Sequence, residues 1–223
     1  MTRAAVDLRV YAVLDPARCR GRSPAKLAAA AARGGATLVQ LRDKRATTRE
    51  LVQLARSVLE ALAPFRAPLL INDRVDVVLA AGAAGVHLGR DDMAPADARR
   101  LLGKAAIIGA TVHHAEEADA LEPRLVDYAG IGPVFATLSK RNEDPPIGPA
   151  GLRRLVERVR RQAPDIRCCG IAGVDHGNAA AVLAAGADGV AVISDIFMAD
   201  DVEAATRHLR GVVEGALSKR QGP

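Results

Sequence analysis

The stretch LLINDRVDVVLAAGAAGVHLGRDD, residues 69–92, holds two short apolar runs, and each ends abruptly in acid, first at Asp73 and then at Asp91 and Asp92. PLLIN and AGVHLG are brief, aliphatic and bounded by polar or glycine-containing segments, so both read as buried strands. Between them, VDVVLAAG carries helical spacing and closes on a Gly suited to a helix C-cap. The order helix, Gly, strand returns later as AAGADGVAV. Both copies suit a helix-to-strand joint, so the echo is structural rather than a tandem repeat.

Working outward, the same alternation fills the chain. LRVYAVL, ATLVQLR, PLLIN, AGVHLG, AIIGAT, VDYAGIG, IRCCGIA and DGVAVIS read as strands. PAKLAAAAARGG, TRELVQLARSVLEALA and PAGLRRLVERVRRQA are amphipathic helices between them. Eight strand–helix units in 223 residues predict an α/β fold, a single (β/α)8 TIM barrel over residues 1–223. The alternative is an open doubly wound sheet, which normally has fewer units and a Gly-rich first loop. No GxGxxG follows VYAVLD, so the barrel is preferred. FATLSKRNEDPPIGPAG, after strand six, is too polar and Pro-rich for core, and loops that long usually carry function.

Composition narrows the function. Hydrophobic residues make up 49% of the chain but aromatics only 2%, so Ala, Val, Leu and Ile must build the core. That scarcity argues against base-stacking nucleic-acid modules. The net charge of +5 is spread without a basic tail, and suits a small anionic substrate as well as it suits a polymer. Cys19, Cys168 and Cys169 form no CxxC and no zinc spacing, and the adjacent pair sits in an apolar segment that suits core packing. With no CxxC and no apolar run of membrane-spanning length, the expectation is a protein of a reduced, cytoplasmic compartment. A homo-oligomer is compatible with the sequence, which does not fix the assembly.

In a barrel the chemistry sits where strands end. Strand two ends LVQLRDK: with a period of two, Gln40, Arg42 and Lys44 share one face, and Val39 and Leu41 the other. If the apolar pair packs on helices, two cations reach the barrel mouth, where phosphate suits them. The plain alternative is a snorkelling strand end. Asp92 follows Asp73 by 19 residues, about one unit. Neighbouring strands lie roughly 4.8 Å apart, so their ends can converge. Two carboxylates with water and a polyphosphate suit Mg²⁺, whereas each acid taken singly suits a helix cap. Strand five offers Thr111, then His113 and His114, which are acid/base candidates or polar surface. Strand six leads to Thr137, Ser139 and Lys140, a binding set or a solvated loop. Gly173 after strand seven and Ile193 and Ser194 after strand eight fall where barrels often bind phosphate. Together these give two anion sites flanking one metal site.

At QLRDK, INDRVDVVLAAGAAGVHLGRDD, GPVFATLSK and GVAVIS, the chain resembles the thiamine phosphate synthase family, from about Tyr11 to Ile196. The resemblance implies a transferase that couples hydroxymethylpyrimidine diphosphate to a thiazole phosphate, or its carboxylated tautomer, and releases pyrophosphate. It implies that Gln40, Leu41, Arg42, Asp43, Lys44, Asn72, Thr111 and Lys140 hold the pyrimidine diphosphate. Asp73 and Asp92 would ligate one Mg²⁺ per subunit. Thr137, Leu138, Ser139, Gly173, Ile193 and Ser194 would hold the thiazole phosphate. Arg42, Lys140 and Thr111 would be the catalytic groups, in a mechanism that ionises the pyrimidine carbon–oxygen bond. The chain departs from the family pattern at Ala172, where Gly is usual, and at Thr111, where the family places Ser. The Asp43 and Arg90 positions more often hold Glu and Gln, and one extra residue separates Asp92 from Thr111. A sister branch, the thiazole tautomerases, uses a His at a position like His113 and often lacks one or both metal acids. A catalytically silent barrel that binds thiamine precursors is the third reading.

Overall fold

The computed structural model describes residues 6–137 and 144–221. Eight parallel strands close into a barrel in chain order: β1 (Val10–Leu14), β2 (Leu38–Leu41), β3 (Leu69–Asn72), β4 (Gly85–Leu88), β5 (Ile107–Val112), β6 (Tyr128–Ile131), β7 (Arg167–Gly170) and β8 (Gly189–Val192). β1 pairs with β8 through Val10–Val190, Tyr11–Ala191 and Ala12–Val192, which seals the ring. The expected (β/α)8 architecture is therefore present, with every sequence-assigned strand in place.

Helices α1 (Pro24–Gly34), α2 (Thr48–Leu62), α3 (Val75–Ala81), α4 (Pro95–Leu102), α5 (Ala115–Asp119), α6 (Gly148–Gln162), α7 (Ala179–Ala184), α8 (Ser194–Phe197) and α9 (Val202–Gln221) accompany the strands, with a 3-10 turn at Pro16–Arg18. Local chemistry sets their starts. Thr47 accepts from the Glu50 amide while the Glu50 carboxylate accepts from the Thr47 amide, a capping box that opens α2. Ser23 caps α1, and Pro24 occupies its first turn. The expected Gly stops also hold: Gly82 ends α3 and Gly186 follows α7, both left-handed.

The apolar residues divide by strand phase. Val39, Leu41, Leu69, Ile71 and Cys168 face outward into the layer shared with the helices. Tyr11, Val13, Leu38, Leu70, Tyr128 and Cys169 fill the barrel interior. All three cysteines are buried free thiols, in keeping with a packing role. No described helix is long and apolar enough to cross a membrane.

Candidate active site

A cavity of about 840 Å³ opens at the C-terminal ends of the strands. Its walls bring together Gln40, Arg42, Lys44, Asn72, Asp73, Asp92, Thr111, Thr137, Gly173, Ile193 and Ser194, which come from seven strand ends. Two of the named residues stand apart. Leu41 is fully buried in the outer apolar layer, so its side chain holds β2 against the helices. The Asp43 carboxylate accepts from the Arg45 and Ala46 amides at 2.9 and 3.1 Å and shapes the loop. Leu138, Ser139 and Lys140 lie outside the described residues.

The two acids meet. Asp73 has a left-handed backbone (φ 64°), which turns the chain sharply as β3 ends and which Asp tolerates better than most residues. Its carboxylate is bonded to Lys44 Nζ and lies within hydrogen-bonding reach of Asp92. Asp92 is aimed by the Gly89 amide, which donates to its Oδ2 at 2.7 Å. Burial, and then the facing Asp92, hold the Asp73 carboxyl above its usual pKa, with Lys44 opposing both. Neither acid caps a helix: α3 begins after Arg74 and α4 after Ala94, both without a side-chain cap. Such a close acid pair is costly without a cation beside it, and Lys44 supplies one.

Beside this pair, Arg42 is fixed by an acid the sequence analysis did not single out. Asp15, at the end of β1, takes Arg42 Nη1 at 2.7 Å, and both side chains are largely buried. The second Asp15 oxygen accepts from the Ala17 amide at 2.9 Å, so the carboxylate itself cannot swing. The signal was available: VYAVLD is acid-tipped like LLIND, on the strand next to the cations.

The opposite wall is made by the ends of β7 and β8. Ala172 and Gly173 are both left-handed, at φ 66° and 68°. A Cβ on Gly173 would lie 2.6 Å from Ala136 O, so only Gly fits there. Two adjacent left-handed positions are where a Gly-Gly pair costs least, which gives the departure at Ala172 a backbone meaning as well as a steric one. His176 donates its main-chain N–H to Asp195 at 3.0 Å, and its Nδ1 lies 2.8 Å from the same carboxylate. That hydrogen bond, and then the carboxylate's charge, raise the His176 pKa. His113 also reaches the cavity, with Nδ1 3.0 Å from Glu117 Oε2. His114 lies beside Glu116 and Arg90, on the half-exposed rim.

Beneath the polar rim runs a buried chain that sequence reading missed: Gln40 to Tyr11, Tyr11 to Tyr128 at 2.7 Å, and Tyr128 to His87 at 2.9 Å. It ends at Thr111, 2.9 Å from the other His87 nitrogen. With so few aromatics in the chain, two tyrosines placed in the barrel interior were the available hint.

The fold and this rim define an enzyme-type (β/α)8 barrel, with acids and cations converging where strands end. Residues 10–196 match the family model described as thiamine monophosphate synthase. Over 216 residues the chain is 47% identical to the thiamine-phosphate synthase of Agrobacterium fabrum, covering 97% of this chain and 98% of the other. It is 45% identical over 214 residues to the thiamine-phosphate synthase of Chloroflexus aurantiacus, covering 96% of each. Thiamine phosphate pyrophosphorylase from Pyrococcus furiosus superposes with a TM-score of 0.83 at 37% identity, covering 95% of this chain and 98% of that one. The chain belongs to the thiamine monophosphate synthase family, and it is accordingly a transferase.

Proposed function

We propose that this protein couples hydroxymethylpyrimidine diphosphate to a thiazole phosphate, or to its carboxylated tautomer with loss of CO2, giving thiamine phosphate and pyrophosphate in a Mg²⁺-dependent reaction. The observation that carries the proposal is the Asp73–Asp92 pair, set between Lys44 and the anchored Arg42 on one wall of a cavity large enough for two small substrates.

The donor set suits magnesium. Both ligands are hard carboxylate oxygens, with no thiolate among the described residues of the cavity wall. Among the described residues no three His, Cys, Asp or Glu converge as a complete ligand set. Water and diphosphate oxygens would complete the shell, which is how Mg²⁺ is usually held. Charge gives a second argument. The described wall carries six aspartates (73, 91, 92, 144, 175 and 195) against Arg18, Arg42, Lys44 and Arg90. A diphosphate entering there needs added positive charge. When bound, the ion would neutralise charge developing on the departing pyrophosphate.

The protein's own groups supply the rest. Arg42, braced by Asp15, offers its remaining N–H groups to the diphosphate, and Lys44 can exchange Asp73 for the same anion. Lys140, which lies outside the described residues, would join them as the family resemblance implies. Gln40, Asn72 and Thr111 would orient the pyrimidine. Gly173, Ile193 and Ser194, with Thr137, Leu138 and Ser139, would fix the thiazole phosphate so that its ring nitrogen faces the pyrimidine methylene. Departure of pyrophosphate breaks the carbon–oxygen bond and leaves a pyrimidine cation, which the thiazole nitrogen then attacks. The bound substrates and the cavity walls must keep water from that cation. Three buried thiols without a disulfide suit a reducing compartment such as the cytoplasm.

Incubating the protein with both substrates should yield thiamine phosphate and pyrophosphate, and EDTA should abolish the yield until Mg²⁺ is restored. Turnover that persists in EDTA would exclude the metal role. Isomerisation of the carboxythiazole phosphate without metal, lost in His113→Ala, would instead assign the tautomerase reaction.

A further inference from the structure

The chain of side chains under the rim has a direction. Tyr11 and Tyr128 are 1% and 0% exposed, and burial pushes both phenols well above their usual pKa, so each holds one proton. Their rings are locked: Tyr11 meets Tyr128 edge-on at 5.7 Å, and His87 stacks on Tyr128 at 5.6 Å. Gly109 leaves the room this needs, since a Cβ there would lie 2.0 Å from Tyr128 Cζ.

For a neutral imidazole, proton counting then orders these bonds. The Gln40 amide nitrogen donates to the Tyr11 oxygen. The Tyr11 proton goes to the Tyr128 oxygen, 2.7 Å away. Tyr128 in turn donates to His87 Nδ1 at 2.9 Å, so that nitrogen is bare. The imidazole proton sits on Nε2 and is donated to Thr111 Oγ1 at 2.9 Å. With an Oγ1 lone pair so occupied, the Thr111 proton is turned to the cavity. Reversing the order under the same Gln40 orientation aims two donors at the Tyr11 oxygen and strands the Tyr11 proton in the core, which is the expensive way to arrange buried polar groups. Turning the Gln40 amide over would reverse every bond and make Thr111 an acceptor. The two ends are therefore one device.

We propose that Tyr11, Tyr128 and His87 are positioning residues, a one-way buried relay that makes Gln40 a carbonyl acceptor and Thr111 a hydroxyl donor toward the cavity as a matched pair. Resting on the reading that Gln40 and Thr111 face the pyrimidine diphosphate, the relay selects a ligand with an N–H donor for Gln40 and an acceptor oxygen or ring nitrogen for Thr111. An aminopyrimidine diphosphate offers both. A ligand with an oxo group in place of the amino group would oppose a carbonyl with a carbonyl and be rejected.

The test begins on the intact wild-type protein, without substrate. With ¹⁵N-labelled histidine, two-bond ¹H–¹⁵N spectra report the His87 tautomer, its signals assigned by their loss in His87→Gln. The Nε2–H form is expected, and the Nδ1–H form would overturn the relay whatever reaction the protein performs. Binding of the pyrimidine diphosphate by calorimetry supplies the coupling. Tyr128→Phe should raise Kd tenfold or more in the wild-type and Thr111→Ser backgrounds, but severalfold less in Thr111→Val, where only the Gln40 end is left to set. Equal losses in all three backgrounds would mean that Tyr128 only supports the barrel. Failure of the coupling reaction itself, with the tautomer and the binding cycle as expected, would sink the proposed function and leave the relay standing.

Discussion

The barrel carries acids paired to cations at both its ends, and the pairs are built in opposite ways. At the N-terminal end, Asp127 Oδ2 accepts from Arg99 Nη2 at 2.7 Å and from the Ile108 amide at 2.8 Å. Asp188 likewise accepts from Arg160 at 3.0 and 3.1 Å and from the Cys168 amide at 2.9 Å. Each of these residues also donates its own amide to that neighbouring strand, Asp127 to Ile108 O and Asp188 to Cys168 O, both at 2.7 Å. Thr37 makes the same clasp on Val10 with its hydroxyl. The acid is thus a stitch between adjacent strands, and its charge is answered by arginine. At the C-terminal end, Asp73 faces another acid, and its cation, Lys44, is half exposed. Asp127 and Asp188 are answered by arginine and by strand amides, whereas Asp92, although aimed by the Gly89 amide, faces a second acid, as the proposed metal role requires.

Replacing the rim acids should separate the two ends most sharply. Asp73→Asn and Asp92→Asn are each expected to lower kcat/KM on the order of 10³-fold, the scale of losing one well-placed electrostatic contact in a transition state. Relieving the like-charge contact should leave the melting temperature within about 3 °C of wild type. Steady-state kinetics and calorimetric melts on the same samples decide it. A steep fall in melting temperature for both variants would move Asp73 and Asp92 into the structural class.

The converse experiment is Asp127→Ala. Asp127 and Arg99 are only 7% and 10% exposed at their side chains. Removing the acid leaves a buried guanidinium short of its counter-charge and the Ile108 amide without its acceptor. Stability should fall by about 3 kcal/mol, with a loss of roughly 10 °C in melting temperature. At a temperature where the variant is fully folded, kcat should be unchanged, because Asp127 lies at the far end of the barrel from the cavity.

Asp15 tests an intermediate case, a structural acid that serves a functional cation. Asp15→Asn keeps the shape but weakens the hold on Arg42, and is expected to lower kcat/KM about tenfold. Arg42→Lys should cost more, about 10²-fold, since an ammonium cannot grip Asp15 and a diphosphate with one planar fork. If Asp15→Asn leaves kinetics untouched while the protein melts early, Asp15 belongs with Asp127.

Much of this division was legible in the sequence. The eight strands, the outward phase of Val39 and Leu41, and the convergence of Asp73 and Asp92 all follow from local periodicity repeated along the chain. What escaped is non-local. Tyr11 and Tyr128 are 117 residues apart, and neither carries a mark that it meets the other. His87 lies inside an ordinary strand pattern, where a lone histidine reads as satisfied core. Asp127 and Asp188 differ from the rim acids only in standing before a strand instead of after one. That distinction becomes visible once strand direction in a parallel barrel is taken into account.

The smallest expected effect concerns the wall opposite the acids. Ala172 is left-handed at φ 66°, where the Cβ of an L-residue crowds the following carbonyl at a cost of about 1 kcal/mol. Ala172→Gly removes that strain but gives the unfolded chain more freedom, so the net gain should be about 0.5 kcal/mol, or a melting temperature 1–2 °C higher. The same change removes a methyl from the cavity wall beside Gly173. If that methyl crowds the phosphate, the KM for the thiazole phosphate should fall severalfold while the KM for the pyrimidine diphosphate stays constant. A gain in stability with neither KM altered would assign Ala172 to the backbone turn alone. A loss of stability would mean that the turn is held by contacts of the methyl group, contrary to the strain argument.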